Sequence, residues 1–351
     1  MRLLFNFLFI FGFTALPFES GRRSAMSEEI QPAPCRAVLL FAGDLMQHLP
    51  QVAAARRAEG FDYGACFEYV TPYFRQADLA FVNLETTLTT TNYYTGYPCF
   101  RSPVQVADAL QNMGVDVAVM ANNHCCDAGG RGVVTTVAEL TMRGIEHTGV
   151  FTDSTDYKRN NPLYLRAGNI SFALLNYTYA TNGIPVPQGV LVNALDTVRM
   201  ARDLATICRD TVDCVIAFLH WGNEYERKAN ASQRKIATFL QRNGVDLIIG
   251  SHPHVVQPFE QDSTHITLFS LGNFVSNQRN RHCDGGLMAE ICVEKSLDGR
   301  LKYALQIIPV WVLCPNYRIL PPAVGDTLQM PASARAAYTQ FKMDTRQLLY
   351  E

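Results

Sequence analysis

Five apolar runs in this chain each stop at a residue able to bind a metal or move a proton. Val38-Leu39-Leu40-Phe41-Ala42-Gly43 stops at Asp44, and Leu79-Ala80-Phe81-Val82 stops at Asn83-Leu84-Glu85. The run from Val115 to Ala121 stops at Asn122-Asn123-His124. Val215 to Leu219 stops at His220-Trp221-Gly222, and Leu247 to Gly250 stops at Ser251-His252-Pro253-His254. Imidazole mixed with carboxylate suits zinc, manganese or iron, and the lack of thiolate argues against a structural zinc site. One or two such divalent ions would make water a better nucleophile near neutral pH and polarise a phosphoryl or carbonyl oxygen.

Each residue has a plainer reading when taken alone. Gly43-Asp44 is an ordinary turn pair, and Asn122-Asn123 can hold a turn by its side chains. Glu85 after a buried run needs a partner or an ion, and a helix cap or salt bridge would also serve. Asn123 offers an amide oxygen, a competent ligand for a hard cation, which leaves His124 free to donate a proton. His220 is a further ligand candidate. In the same segment Trp221 is expected to wall a pocket, Glu224 to orient a ligand, and Tyr225 to bond substrate. Asn273, in Ser270-Leu271-Gly272-Asn273-Phe274, either contacts substrate or turns the chain. His48, His147, His265 and His282 lack such a context and read as ordinary core or surface residues.

Short β-branched runs of this kind read as buried strands. Ligands of open α/β sheets bind outside the carboxyl ends of the strands, so five polar strand ends point to one shared site. Glycine after a helical stripe marks a left-handed cap. Gly114 follows the Val104–Met113 stripe, Gly144 the stripe through Val133, Val137 and Leu140, and Gly244 the stripe through Ile236, Phe239 and Leu240. Helix, glycine, strand in this order predicts βαβ units and a mostly parallel sheet. After residue 160 the pattern changes to hairpins. Gly168-Asn169 separates runs at 163–167 and 170–179, and 297–300 is a turn between runs at 287–293 and 303–312. A strand is expected over 266–274 and a helix over 334–349.

The size, 351 residues, allows one large domain or two ordinary ones. A net charge of −2 gives no basic groove, so nucleic acid is not an expected partner. Residues 1–25 hold the apolar stretch Leu3–Leu16, short for a membrane span and right for a signal peptide or anchor. Export is the expectation, with Met26 as an alternative start. Cys208 and Cys214 flank a short turn and are candidates to pair. No CxxC occurs, which excludes a zinc ribbon or thioredoxin motif.

Six motifs in order resemble one known family. They are Gly43-Asp44-x-Met46, Asn83-x-Glu85, Ala121-Asn122-Asn123-His124-x-x-Asp127, His220-Trp221-Gly222-x-Glu224-Tyr225, Gly250-x-His252-Pro253-His254-x-x-Gln257 and Ser270-Leu271-Gly272-Asn273-Phe274. The pattern is similar to the CapA family of poly-γ-glutamate capsule biosynthesis proteins, within the metallophosphatase-like (calcineurin-like) superfamily. The resemblance covers 36–315 and leaves 316–351 as a C-terminal extension with a helix. It implies a four-layer α/β/β/α sandwich, with two mixed sheets flanked by helices. It implies Asp44, Glu85, Asn123, His220, His252 and His254 as metal ligands. It also assigns His124 as the proton donor, with Asp127 and Glu224 in the catalytic group and Trp221, Tyr225 and Asn273 toward substrate. A polymer or small-molecule substrate with γ-glutamyl or phosphoester bonds, and a membrane-associated capsule synthesis complex, would be the partners. Two departures stand out. The superfamily pattern has Asp-x-His where this chain has Met46, and a bridging aspartate where it has Glu85. Hydrolase chemistry therefore does not follow from the superfamily alone, and a non-catalytic binding or assembly module is the alternative.

Overall fold

Residue type and spacing dictate a layered protein: runs buried on both faces must be covered on both faces. The computed structural model describes residues 35–350, and the expected signal segment lies outside them. From the amino end, β1 (Cys35–Leu45) leads through α1 (Leu49–Ala55), α2 (Gly64–Phe67) and α3 (Thr71–Gln76) to β2 (Leu79–Leu84). A small ladder, β3 (Thr87–Thr89) with β4 (Arg101–Pro103), precedes α4 (Gln105–Met113), β5 (Val117–Val119), α5 (Gly129–Met142) and β6 (Glu146–Thr148). Then come β7 (Val150–Phe151), α6 (Ser154–Asn160), β8 (Leu163–Ala167), β9 (Ile170–Thr178) and β10 (Leu191–Val192). They are followed by α7 (Thr197–Ala205), β11 (Cys214–His220), α8 (Ala231–Arg242) and β12 (Leu247–Ser251). The rest is β13 (Phe259–Gln261), β14 (Ile266–Leu268), β15 (Asn273–Val275), β16 (Gly285–Lys295), β17 (Leu301–Leu313), β18 (Arg318–Leu320), α9 (Pro322–Gly325) and α10 (Ala332–Tyr350).

Two mixed sheets result. The first has the order β18-β17-β16-β1-β2-β5-β6, with β15 also on β1, and the second has β13-β14-β12-β11-β9-β8. Strands β1, β2, β5 and β6 run parallel, as do β9, β11, β12 and β14. Antiparallel strands from the hairpin-rich half extend one flank of the first sheet and both edges of the second. The expected parallel sheet is thus two mixed ones, because hairpin strands add antiparallel partners. Alternation along β1 divides the core: Leu39 and Phe41 face the second sheet, while Leu40 and Ala42 face the helices. Phe41 stacks on Phe81 at 4.6 Å and meets Phe218 of the second sheet edge-on at 6.3 Å. The other face of the second sheet packs with Met200 of α7 and Leu240 of α8. The layers are therefore helix, sheet, sheet, helix.

Aspartates fasten the amino ends of the parallel ladders. Asp78 accepts from the Val38 N–H, Asp116 from Ala80 and Asp246 from Val215, each at 2.7 Å, and Asp213 accepts from Ser171 at 2.9 Å. The carboxyl ends are left to the polar motifs.

Two local expectations fail. The run over 266–274 is not one strand: β14 ends at Leu268 in the second sheet and β15 begins at Asn273 in the first. Gly272, at φ 67°, lets the chain cross between them. Cys208 and Cys214 are unpaired; Cys208 is exposed and Cys214 is buried within β11. The helix expected over 334–349 is α10, which lays Tyr338 and Phe341 against Trp311 and Leu320, and Arg318–Leu320 adds β18 to the first sheet. Among the described residues no helix is long and apolar enough to cross a membrane.

Candidate metal centre

The carboxyl ends of both sheets meet on one edge, and the residues placed there are the polar strand ends. Asp44 closes β1, opposite Asn83 of β2 and Asn273 of β15. Gly43 is needed beside it, because a Cβ would collide with the Gly272 carbonyl, which accepts from the Asp44 N–H at 3.0 Å. Glu85 follows β2, and its N–H donates to Leu45. His220 ends β11, beside Ser251 of β12 and Thr178 of β9. His252 and His254 lie past the end of β12, in a turn with φ of 97° and 58°. These positive values, costly for non-glycine residues, aim both rings back at the sheet edge.

Two groups of ligand atoms form. Those of Glu85, His252 and His254 lie within 4.8 Å of one another, and so do those of Asp44, Glu85 and His220. Glu85 belongs to both. Its carboxylate is sealed from solvent, and neither oxygen has a hydrogen-bond partner. His220 Nε2 lies 3.6 Å from Glu85 Oε1 and His254 Nε2 3.8 Å from it, with the Asp44 carboxylate also close by. His252 Nδ1 is likewise buried without a partner. Asp44 is tied on both oxygens, to the Asn83 amide at 2.8 Å and to His254 Nδ1 at 3.0 Å. His220 Nδ1 lies 3.0 Å from the Ser251 hydroxyl, which turns Nε2 toward the Asn123 oxygen at 2.8 Å.

The electrostatics carry the same message. Burial, then the charge of Asp44, pushes the Glu85 carboxyl well above its usual range. Burial, then neighbouring imidazoles, pushes His220 well below its own, and His252 down to about 3. The imidazoles are thereby held in their neutral, ligating form, while Glu85 favours its proton without an ion and gives it up on binding one. An isolated buried carboxylate is costly, and a cation removes the cost. The donor set thus fits a divalent cation. Met46 is 2% exposed and supplies no imidazole, so the departure at that position leaves Asp44 and three histidines as the nitrogen and carboxylate donors around Glu85.

His124 stands beside this cluster as part of a dyad. Its Nδ1 is 2.7 Å from Asp127 Oδ2, which also accepts from the Phe100 N–H at 2.6 Å. The Phe100 ring meets His124 edge-on at 4.6 Å. His48, expected to be ordinary, packs edge-on against the same Phe100 at 5.0 Å. Burial lowers its pKa to about 4.

Other expected residues have different places. Trp221 is not a pocket wall. It is 1% exposed in the core between β11 and α8, and its indole donates to the Phe269 carbonyl at 2.9 Å. Asn273 is sealed from solvent, and its amide holds a loop by donating to Gln278 and to the Cys283 carbonyl. Glu224 is exposed, and its charge acts on Glu85, Tyr179 and Tyr225. Tyr225 is 53% exposed, its ring 6.2 Å from His254, and burial raises its phenol to about 12. Two residues were missed. Tyr179 lies over His252 with ring centroids 4.4 Å apart, and Asn182 accepts from the Asn123 amide at 3.2 Å. Both follow β9, whose end neighbours His220 in the parallel ladder. The strand-end rule would have found them had β9 been read as a parallel strand and not only as half of a hairpin.

Residues 38–278 match the family described as bacterial capsule synthesis protein PGA_cap. The chain belongs to that family. It is 26% identical over 271 residues to the PGA biosynthesis protein CapA of Bacillus subtilis, covering 75% of this chain and 69% of that one. It is 27% identical over 258 residues to the capsule biosynthesis protein CapA of Bacillus anthracis, covering 69% of this chain and 60% of that one. The solved structure of Haemophilus influenzae NAD nucleotidase aligns at 12% identity with a TM-score of 0.47, over 91% of this chain and 61% of that one. At that distance neither activity nor ligand transfers.

Proposed function

We propose that the protein is a metal-dependent hydrolase of capsule or poly-γ-glutamate metabolism. One observation carries the reading: Glu85, buried with both oxygens unpartnered, is common to two groups of potential ligands. Asp44, Glu85, Asn123, His220, His252 and His254 would hold one or two divalent ions of the manganese, zinc or iron type. Such an ion supplies a Lewis acid for a phosphoryl or carbonyl oxygen and activates water near neutral pH.

The chain's own groups do the rest. Asp127 holds His124 at Nδ1, which leaves Nε2 to deliver a proton to a leaving group. Such a contribution is worth roughly 10²–10⁴ in rate. Tyr179 and Tyr225 keep their protons at neutral pH and present hydroxyl donors at the mouth. Membership of the family and the names of its Bacillus relatives support an envelope polymer as substrate, through a γ-glutamyl or phosphoester bond. The apolar stretch Leu3–Leu16 supports an extracytoplasmic site of action, near a membrane-bound synthesis complex.

The test is metal analysis of the purified protein, followed by hydrolysis assays on phosphomonoesters, phosphodiesters and γ-glutamyl oligomers. Bound metal with turnover that His124→Ala abolishes is the expected result. Bound metal with no turnover on any of these would favour the assembly-module reading, which the Met46 departure already suggests. A folded protein that takes up no manganese, zinc or iron would overturn the hydrolase reading and leave the assembly module. Mass spectrometry of the mature amino terminus tests the compartment.

A further inference from the structure

We propose that the outer edge of β17 pairs with the same edge of a second copy of this chain, joining two first sheets into one. Strand β18 covers that edge only at Trp311, Val312 and Leu313. Over residues 301–309 no strand pairs with it among the described residues. An open edge is a template for another chain, and proteins usually blunt it with charge, proline or a bulge. Here Lys302 and Pro309 stand at the two ends, and residues 303–308 between them carry no charge, proline or glycine. The ladder of β17 on β16 runs without a shift, so no bulge bends the edge away.

The register identifies the free backbone groups. The Val312 N–H donates to the Asp284 carbonyl at 3.0 Å, so even-numbered residues of β17 bond toward β16. Odd-numbered residues turn N–H and C=O outward, because an antiparallel ladder alternates by residue. The outward Tyr303 carbonyl accepts from the Gln261 side chain at 3.3 Å and keeps a second lone pair. Pro309 has the same phase, and an edge is where its missing N–H is tolerated. Side chains alternate in step. Lys302, Ala304 and Gln306 are exposed, while Leu301, Tyr303, Leu305 and Ile307 are half-buried.

The strand is complementary to itself. An antiparallel pair with its two-fold axis at Ala304 sets Leu301 against Ile307, Tyr303 against Leu305 and Lys302 against Gln306. Apolar meets apolar on one face, and no like charges oppose each other on the other. An axis at Leu305 or Gln306 brings Pro309 into the ladder, where it cannot donate. An axis at Tyr303 pairs a shorter stretch. Charges at the two ends also match. Arg346 lines a groove with Ile307 and Pro309 and has no carboxylate partner among the described residues. Asp262 lines a cavity with Leu301 and Tyr303, and its ion-pair partner is His265 rather than a lysine or arginine. The antiparallel arrangement carries the Arg346 end of one copy to the Asp262 end of the other. Such a contact is isologous and closes at two copies. No candidate metal ligand lies on this edge, so each centre stays complete within one chain.

Sedimentation velocity on the purified protein over a range of concentrations tests the pairing, and a monomer–dimer equilibrium is expected. Ala304 is exposed and lies on the axis. Ala304→Lys therefore sets two ammonium groups face to face and should weaken the dimer about ten-fold or more. Ala304→Glu should do the same with two carboxylates. An equimolar mixture of the two variants should restore the dimer, since opposite charges then meet across the axis. At dilutions where wild type is monomeric, both variants should match its metal content and melting temperature, which separates the result from the proposed function. A protein that stays monomeric throughout would overturn the proposal. So would a dimer that Ala304→Lys leaves intact, or variants that remain apart when mixed.

Discussion

Asp44 and His254, 210 residues apart in sequence, meet at 3.0 Å between a carboxylate oxygen and Nδ1. Asp44 ends a strand of the first sheet, and His254 sits in the turn after β12 of the second. This one pair joins the two sheets at their carboxyl edges. It also leaves His254 Nε2 facing Glu85, the residue on which the centre depends.

Glu85→Gln should separate stability from metal binding. The carboxyl is held well above its ordinary value of 4.5 in the folded protein, chiefly by burial. A raised folded-state pKa means that the folded form holds the proton more tightly than the unfolded form. Metal-free protein therefore gains stability as pH falls from the folded-state value toward 4.5, and loses it as pH rises. Glutamine has no proton to lose, so the metal-free variant should melt higher than wild type at pH 7, with a flatter pH profile. Its stabilisation by added metal should fall by ten-fold or more in metal affinity. Calorimetric melts with and without chelator read both, and a lower melting temperature for the metal-free variant would contradict the account.

The His124–Asp127 dyad predicts loss of turnover without loss of metal. His124→Ala should lower kcat by about 10²–10⁴. Asp127→Asn should lower it less while shifting the pH profile, because the asparagine cannot carry the charge that steadies the ring at 2.7 Å. Metal content measured beside activity makes the distinction. A parallel fall in both would make these residues part of the ion's support instead.

Asn182 fixes the direction of the Asn123 amide. It accepts from Asn123 Nδ2 at 3.2 Å, which points Asn123 Oδ1 at His220 Nε2. Asn182 adopts φ 51°, a conformation that both glycine and aspartate tolerate. Asn182→Gly should weaken metal binding by about 2–12-fold, the worth of one hydrogen bond of 0.5–1.5 kcal/mol. Asn182→Asp keeps the acceptor and should restore affinity. Titration calorimetry on chelator-treated protein compares them; equal affinities for both variants would remove the role.

Asp344 of α10 ties down two loops at the mouth. Arg281 donates to both of its oxygens at 2.7 and 2.8 Å, and Arg227 donates to its backbone carbonyl at 2.8 Å. The Arg281 pairing holds its carboxyl down at about 2, below the ordinary value of 3.8. That stability is present above 3.8 and is lost as pH falls toward about 2. Asp344→Ala should cost about 1.5–3 kcal/mol at pH 7, and the loss should shrink on acidification. Faster proteolysis near Tyr225 and Arg281 is the accompanying sign, and an unchanged cleavage pattern would count against the tie.

Much of the architecture was legible because it is locally coded. Gly114 and Gly244 end helices α4 and α8, and a glycine of the same kind at 144 follows α5. The hairpin at Gly168-Asn169 pairs Ala167 with Ile170. The run over 266–274 was misread because apolar residues continue through it. Only Gly272 marks the crossing between sheets, and a single glycine is a weak local signal. Trp221 shows the same limit: alternation along a strand says that it opposes His220, not that the opposite side is core.

The motif residues were determined by the sequence alone: apolar runs ending on Asp44, Glu85, Asn123, His220 and the His252–His254 pair, since burial on both faces leaves a strand only its end for polar chemistry. Tertiary structure decided which of their atoms converge. Glu85's place in both ligand groups, the neutrality of His220 and His252, and the recruitment of Tyr179 and Asn182 all depend on how two sheets pack. Contacts between residues 210 positions apart leave no periodicity in the chain; only the folded arrangement of the sheets brings such side chains within reach of one ion.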